Sequence, residues 1–361
     1  MAGLVLVLML GVAFANGAND VSKGVATLAG SGLASDRQAI AWGTAWTVAG
    51  ALAAVFVAQG LIALFSGDGI LPASPDGTAF LAAVTIGALG WLAIATRTGL
   101  PVSTTHALLG GLVGVGLATE GLAGVGWGVV ANKAALPLAA SPLLSLALVF
   151  AVFPAASLGF RRLNRYCVCV ERHETVAATA GAAARVMAAP ELRVVASADC
   201  PPEVVTRVNA LDSLHWLSAG LVSFARGLND APKVLGLGIL AGALLGIGAM
   251  PLAALVAIAM GAGSLLAGQR VTRTLARRVT RIAPDDGFAA NLVTSLLVGV
   301  ASTVAAPVST THVSTGAIVG IGMHRREVRW RLLREILLAW LVTLPVAAAL
   351  AALAYGLLAA R

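Results

Sequence analysis

Phe14-Ala15-Asn16-Gly17-Ala18-Asn19-Asp20-Val21-Ser22-Lys23 returns late in the chain as Phe224-Ala225-Arg226-Gly227-Leu228-Asn229-Asp230-Ala231-Pro232-Lys233, an offset of 229 − 19 = 210. Outward from this pair the agreement continues. Pro101-Val102-Ser103-Thr104-Thr105-His106 recurs as Pro307-Val308-Ser309-Thr310-Thr311-His312, an offset of 307 − 101 = 206. Gly110, Gly114 and Gly116 match Gly316, Gly320 and Gly322 at that same offset, and Trp127 and Pro142 match Trp330 and Pro345 at 203. Order and spacing hold over some 130 residues, so the chain reads as two related halves.

The segments around these runs belong in lipid. Of 361 residues, 58% are apolar and 11% charged, against roughly 45–50% and about 25% in soluble domains. A water-soluble fold has no interior large enough for that surface. The 41 glycines suit helices that approach closely in a membrane, and the alternating pattern of an outer-membrane barrel is absent. The expected class is an all-α polytopic membrane protein with broken helices or re-entrant hairpins, about 10–12 membrane helices in all. Five crossings per half fit the lengths, near 3–31, 39–65, 78–96, 101–118 and 127–158, then 214–241, 244–267, 287–305, 307–323 and 333–358. No Lys or Arg precedes Lys23, so the first segment reads as a retained helix with its start outside rather than a signal peptide.

One polar stretch, 161–213, divides the halves. It holds seven Arg, six acids, Pro201-Pro202 and Cys167, Cys169 and Cys200. We expect a first transmembrane repeat at 1–160, a linker with some helix around Glu174–Met187, and a second repeat at 214–361. The cysteine spacing, even with His173, is not a zinc pattern, and the thiols read as reduced. Loop charges then orient the repeats. The loop near 66–77 carries Asp68 and Asp76, whereas its counterpart near 268–286 carries Arg270, Arg273, Arg277, Arg278 and Arg281. The loop near 118–126 has Glu120, whereas its counterpart near 323–334 has Arg325, Arg326, Arg329, Arg331 and Arg334. Equivalent loops prefer opposite sides of the membrane, the mark of an inverted-topology repeat. Both termini fall outside and the linker inside. The net charge of +8 is explained by these loops, which leaves no case for nucleic acid.

A charge at membrane depth costs at least about 2.5–3.5 kcal/mol, so Asp20 and Asp230 are functional candidates. Gly17, Gly24 and Gly227 loosen their helices, and Pro232 removes a backbone donor. A break there would free carbonyls that, with Asn19, Asp20, Asn229 and Asp230, make a hard-oxygen site for Na+. Alternatively the carboxylates carry protons, or they only pair with Lys23 and Lys233. The Pro-Val-Ser-Thr-Thr-His runs read as a break followed by a helix start, with Ser and Thr at the cap. Helix N-termini offer free N–H groups to an oxyanion, and Ser103, Thr104, Thr105, Ser309, Thr310 and Thr311 add hydroxyls. His106 and His312 read as braces of the turns, with direct substrate contact as the alternative. Arg226 reads as snorkelling to the cytoplasmic face, the alternative being that it tunes the anion site; Arg97 is a similar case, and Gln59, Asn132, Lys133 and Asn291 read as interhelical hydrogen bonds. An intramembrane hydrolase using Ser103 and His106 lacks both a nucleophile elbow and an HExxH pair. No enzyme and no resident cofactor is expected.

The GANDVSKG and GLNDAPK runs and the two PVSTTH runs resemble the inorganic phosphate transporter (PiT) family, which includes the sodium-phosphate symporters. The resemblance spans both halves and leaves only 161–213 unmatched. It implies a homodimer in the plasma (inner) membrane, with phosphate bound at the midplane between inverted repeats. It also implies symport with Na+ or H+. By motif match, Asn19, Asp20, Asn229 and Asp230 serve cation and phosphate, and the six hydroxyl residues hold phosphate. Sulfate or another tetrahedral oxyanion is the alternative cargo.

Overall fold

The computed structural model describes residues 1–71, 77–163, 166–171, 174–179, 182–187, 191–196 and 206–360. Asp76, His173 and Cys200 lie outside them.

Helix α1 (Ala2–Gly30) has 29 residues, about 43 Å at 1.5 Å per residue. That exceeds the roughly 30 Å of a hydrocarbon core. It is followed by α2 (Asp36–Val57), capped reciprocally by Ser35 and Gln38, and by the short α3 (Gln59–Phe65) after a break at Ala58. Helices α4 (Gly77–Thr98) and α5 (Thr104–Glu120) follow. A short α6 (Trp127–Val129) and a π-helical turn at Val130–Ala135 lead into α7 (Leu136–Leu163). After the linker come α8 (Ala210–Leu244), α9 (Ala249–Ala267), α10 (Gln269–Arg278), α11 (Pro284–Thr303), α12 (Thr310–Arg325) and α13 (Trp330–Ala359). Seven helical segments of the described residues are long and apolar enough to cross a membrane. The bundle is thus an all-helical, multi-pass membrane architecture.

The two halves interleave. An added Cβ on Gly17 of α1 would lie 1.9 Å from the Met260 carbonyl oxygen of α9, and one on Gly227 of α8 would lie 2.2 Å from the Thr47 carbonyl oxygen of α2. The first helix of each half therefore rests backbone to backbone on the second helix of the other. Along α1 and α8, Gly24 meets Ser223 and Met9 meets Gly238, so these equivalent helices run antiparallel.

Both helices continue unbroken through the Asn-Asp motif, contrary to the break expected there. Gly17 and Gly227 serve close packing instead, and Pro232 is carried within α8. Unwound backbone in lipid leaves polar groups unsatisfied, so the helix is kept where neighbours permit. The breaks occur elsewhere. Residues 99–103 join α4 to α5 and residues 304–309 join α11 to α12, each pair folding back as a hairpin.

One end of the bundle gathers the arginines. Arg325 bonds Asp286 at 2.8 Å, Arg277 bonds Asp36 at 2.6 Å, and Arg329 reaches the Arg277 carbonyl at 3.1 Å. The stretch read as a loop near 268–286 contains α10, an amphipathic helix that buries Val271 and Leu275 and leaves Arg273 and Arg277 exposed.

The linker differs from expectation. Glu174–Met187 is not helical: β2 (Glu174–Thr179) pairs antiparallel with β3 (Ala182–Met187). Strand β1 (Tyr166–Glu171) lies between β4 (Glu191–Ala196) and β5 (Thr206–Asn209). Alanine-rich composition favours helix, but the β-branched Thr175, Val176, Thr179 and Val186 suit a pleated pair. Nor are all three thiols reduced, because Cys169 is disulfide-bonded. Residue spacing alone cannot show which thiols the folded linker brings together.

Candidate functional site

The two hairpin tips meet. Thr105 donates to the Val308 carbonyl at 3.4 Å, and Thr311 donates to the Val102 carbonyl at 2.8 Å. Thr311 is the repeat partner of Thr105, and Val308 of Val102, so the contact is reciprocal within a single chain. Ser103 and Ser309 start α5 and α12, their hydroxyls accepting from the backbone N–H groups of His106 and His312. The two imidazoles lie with ring centroids 4.6 Å apart, and His312 also stacks on Trp340. The histidines therefore brace the tips, as their sequence position suggests.

Asp20 and Asp230 come together against these tips. The Asn16 side-chain amide donates to Asp20 Oδ2 at 2.9 Å, to Thr104 Oγ1 at 3.0 Å and to Asp230 Oδ2 at 3.3 Å. Thr104 in turn donates to Asp20 Oδ2 at 3.1 Å. One amide thus bridges a carboxylate from each half and a hydroxyl of the first tip. Asn19 donates to the Leu100 carbonyl at 3.0 Å and accepts from the Val102 N–H at 3.2 Å, which anchors the first tip to α1. Asn229 donates to the Val308 carbonyl at 3.1 Å and anchors the second tip to α8. Thr310 is buried at the second tip. The ten residues singled out from the sequence thus gather on α1, α8 and the two tips.

Lys23 and Lys233 are fully buried here as well. Lys23 Nζ donates to Asn19 Oδ1 at 2.7 Å, to the Asn19 carbonyl at 2.9 Å, and to Asp20 Oδ1. Lys233 Nζ donates to Thr105 Oγ1 at 2.7 Å, to the Val308 carbonyl at 2.8 Å and to Asp230 Oδ1 at 3.4 Å.

The residue that sequence reasoning misplaced is Arg226. It does not snorkel: its relative exposure is 0%. Nε and both Nη atoms have no hydrogen-bond partner among the described residues. It stands one turn before Asp230, at the repeat position that Asn16 occupies in α1. The carboxylates of Asp230 and Asp20 are the acids whose fields reach it. An unpaired charge so deep is costly unless a partner arrives. At formal charge, two carboxylates against Lys23, Lys233 and Arg226 leave one positive charge in excess. The signal available in the sequence was a basic residue at a repeat position whose counterpart, Asn16, is uncharged. Arg97, by contrast, is exposed.

Asn291 bonds Thr27 and Ser218 between helices as expected. Gln59, Asn132 and Lys133 are exposed. Asn132 and Lys133 line, with Asp68 and residues 304–306 of the second tip, a cavity of about 510 Å³.

Comparison with known proteins finds relatives over nearly the whole chain. A family model described as the phosphate transporter family matches residues 16–351. A "Probable low-affinity inorganic phosphate transporter" of Mycobacterium bovis is 31% identical, over 98% of this chain and 76% of that protein. Its namesake in Rhizobium meliloti is 29% identical, over 95% and 92%. A solved structure described as the sodium-dependent phosphate transporter superposes with a TM-score of 0.79 at 23% identity, covering 99% of each chain. At that identity the likeness speaks for the fold.

Proposed function

The chain belongs to the phosphate transporter family, and from that premise we propose that it imports inorganic phosphate in symport with a cation. It is a multi-pass membrane protein, and its relatives are transporters rather than enzymes. The observation that carries the cargo assignment is Arg226, a buried guanidinium with no hydrogen-bond partner among the described residues, within the fields of the Asp20 and Asp230 carboxylates. Such a site suits one anion that accepts from Arg226 and from the caps at Ser103, Thr104, Thr105, Ser309, Thr310 and Thr311, with Thr104, Thr105 and Thr311 turning from their present acceptors. The same anion should also donate to Asp20 and Asp230. Protonated phosphate has hydrogens for both carboxylates, whereas sulfate at neutral pH has none. This favours phosphate over sulfate.

The antiparallel α1 and α8 and the reciprocal Thr105 and Thr311 contacts support two inverted repeats about an axis through the tips. The halves would rock about that fixed site in alternating access. The oxygens of Asn19, Asp20, Asn229 and Asp230 form the cation-binding part, for which Na+ and H+ are the candidates. The gathering of Arg-rich loops at one end supports a cytoplasmic placement of that end and of the linker, with both termini outside. A plasma-membrane homodimer remains part of this reading, on family resemblance.

Uptake of labelled phosphate into proteoliposomes tests it. Arsenate, the isostere with the same protons, should compete strongly and sulfate weakly. Uptake abolished by sulfate but not by unlabelled phosphate would remove the phosphate assignment.

A further inference from the structure

We infer that Lys23 and Lys233 are tethered cations whose ammonium groups fill the oxygen cages a coupling Na+ would need, so that this chain binds its anion without Na+. The inference rests on the symporter reading for its meaning, but its evidence is independent of which anion is carried.

Each ammonium has three N–H donors, and each finds three oxygens. Lys23 takes the Asn19 carbonyl, Asn19 Oδ1 and Asp20 Oδ1. Lys233 takes the Val308 carbonyl, Thr105 Oγ1 and Asp230 Oδ1. Carbonyl, amide and carboxylate oxygens are the donor set of a hard cation. The two lysines hold equivalent positions in the repeat, so the same device occurs on both sides of the pocket.

Two further observations close the cages to a free ion. Intramembrane Na+ sites draw on carbonyls released where a helix unwinds, yet α1 and α8 run unbroken past Asn19 and Asn229. The tip carbonyls of Val102 and Val308 are also taken. Val102 accepts from Thr311, and Val308 accepts from Thr105, Asn229 and Lys233. Charge points the same way. Counted at formal charge with both ammoniums in place, the site already has one positive charge in excess, that of Arg226. A monoanion neutralises it, whereas Na+ against the same carboxylates would meet a resident ammonium and the guanidinium at close range.

The test measures saturable binding of radioactive Na+, and of labelled phosphate in Na+ or choline medium, to the purified full-length chain. Wild type should show no saturable Na+ site, and its phosphate affinity should be the same in both media. Lys23→Met and Lys233→Met, which keep an apolar stem and remove the charge, should each create a Na+ site. Phosphate affinity should then rise about tenfold with Na+. Saturable Na+ binding to wild type overturns the inference, as does a folded Lys→Met variant that gains none. If wild type binds no phosphate in either medium, the phosphate reading fails, and the Na+ measurement still judges the lysines. If the Met variants do not fold, the wild-type arm decides.

Discussion

Arg226 occupies the repeat position where the first half has Asn16, and this one difference sets the charge of the pocket. Asn16 bridges Asp20 and Asp230, whereas the guanidinium of Arg226 meets no partner among the described residues. Loss of one partner from a buried charge pair costs about 2–5 kcal/mol of binding. Arg226→Met should therefore weaken phosphate binding by that amount. The same substitution replaces an unpaired buried charge with an apolar side chain, so the anion-free protein should unfold at a higher temperature. Calorimetry and phosphate binding on the same sample check both. A variant less stable and still binding tightly would mean that Arg226 is structural. The acids and hydroxyls that gather at the tips stood out in the sequence because duplication singled them out. Arg226 did not, because a long arginine stem in a membrane segment is expected to carry its charge out to water. Its burial shows only once the neighbouring helices are packed around α8. The lysine cages were likewise hidden, since sequence gives the i, i+3 spacing to the acid but not the Val308 carbonyl of a distant hairpin.

At the scale of elements, the glycines of the two motifs act through packing. Gly17 faces the Met260 carbonyl so closely that even a methyl group has no room. Gly17→Ala should lower the thermal midpoint by more than ordinary overpacking, which costs about 1–3 kcal/mol. Gly299→Ala, whose methyl meets nothing within 4 Å, should leave the midpoint unchanged or slightly raised. Equal behaviour of the two variants would contradict the close crossing of α1 and α9. Helix positions were legible from apolar runs, and the breaks before Thr104 and Thr310 from Pro and the Ser caps. The supposed breaks at Asn19 and Asn229 were not there, because Gly that loosens a helix in water instead admits a neighbour in a bundle. The linker strands escaped notice because alanine content masked the pairing of β2 with β3.

For the whole molecule, the interleaving is what turns a duplicated sequence into one site. Each half supplies one carboxylate, one ammonium and one hydroxyl-bearing tip, and the tips hold each other through Thr105 and Thr311. The duplication and the opposed loop charges were visible in the sequence. That first helices pack on the second helices of the opposite half was not, since it depends on which glycine meets which backbone.

Equilibrium binding of labelled phosphate to the purified chain, with its stoichiometry, tests the shared pocket most directly. One phosphate per chain is expected, lost both in Thr104→Val and in Thr310→Val. Two phosphates per chain, or binding left intact by either substitution, would contradict a single pocket built jointly by the two halves.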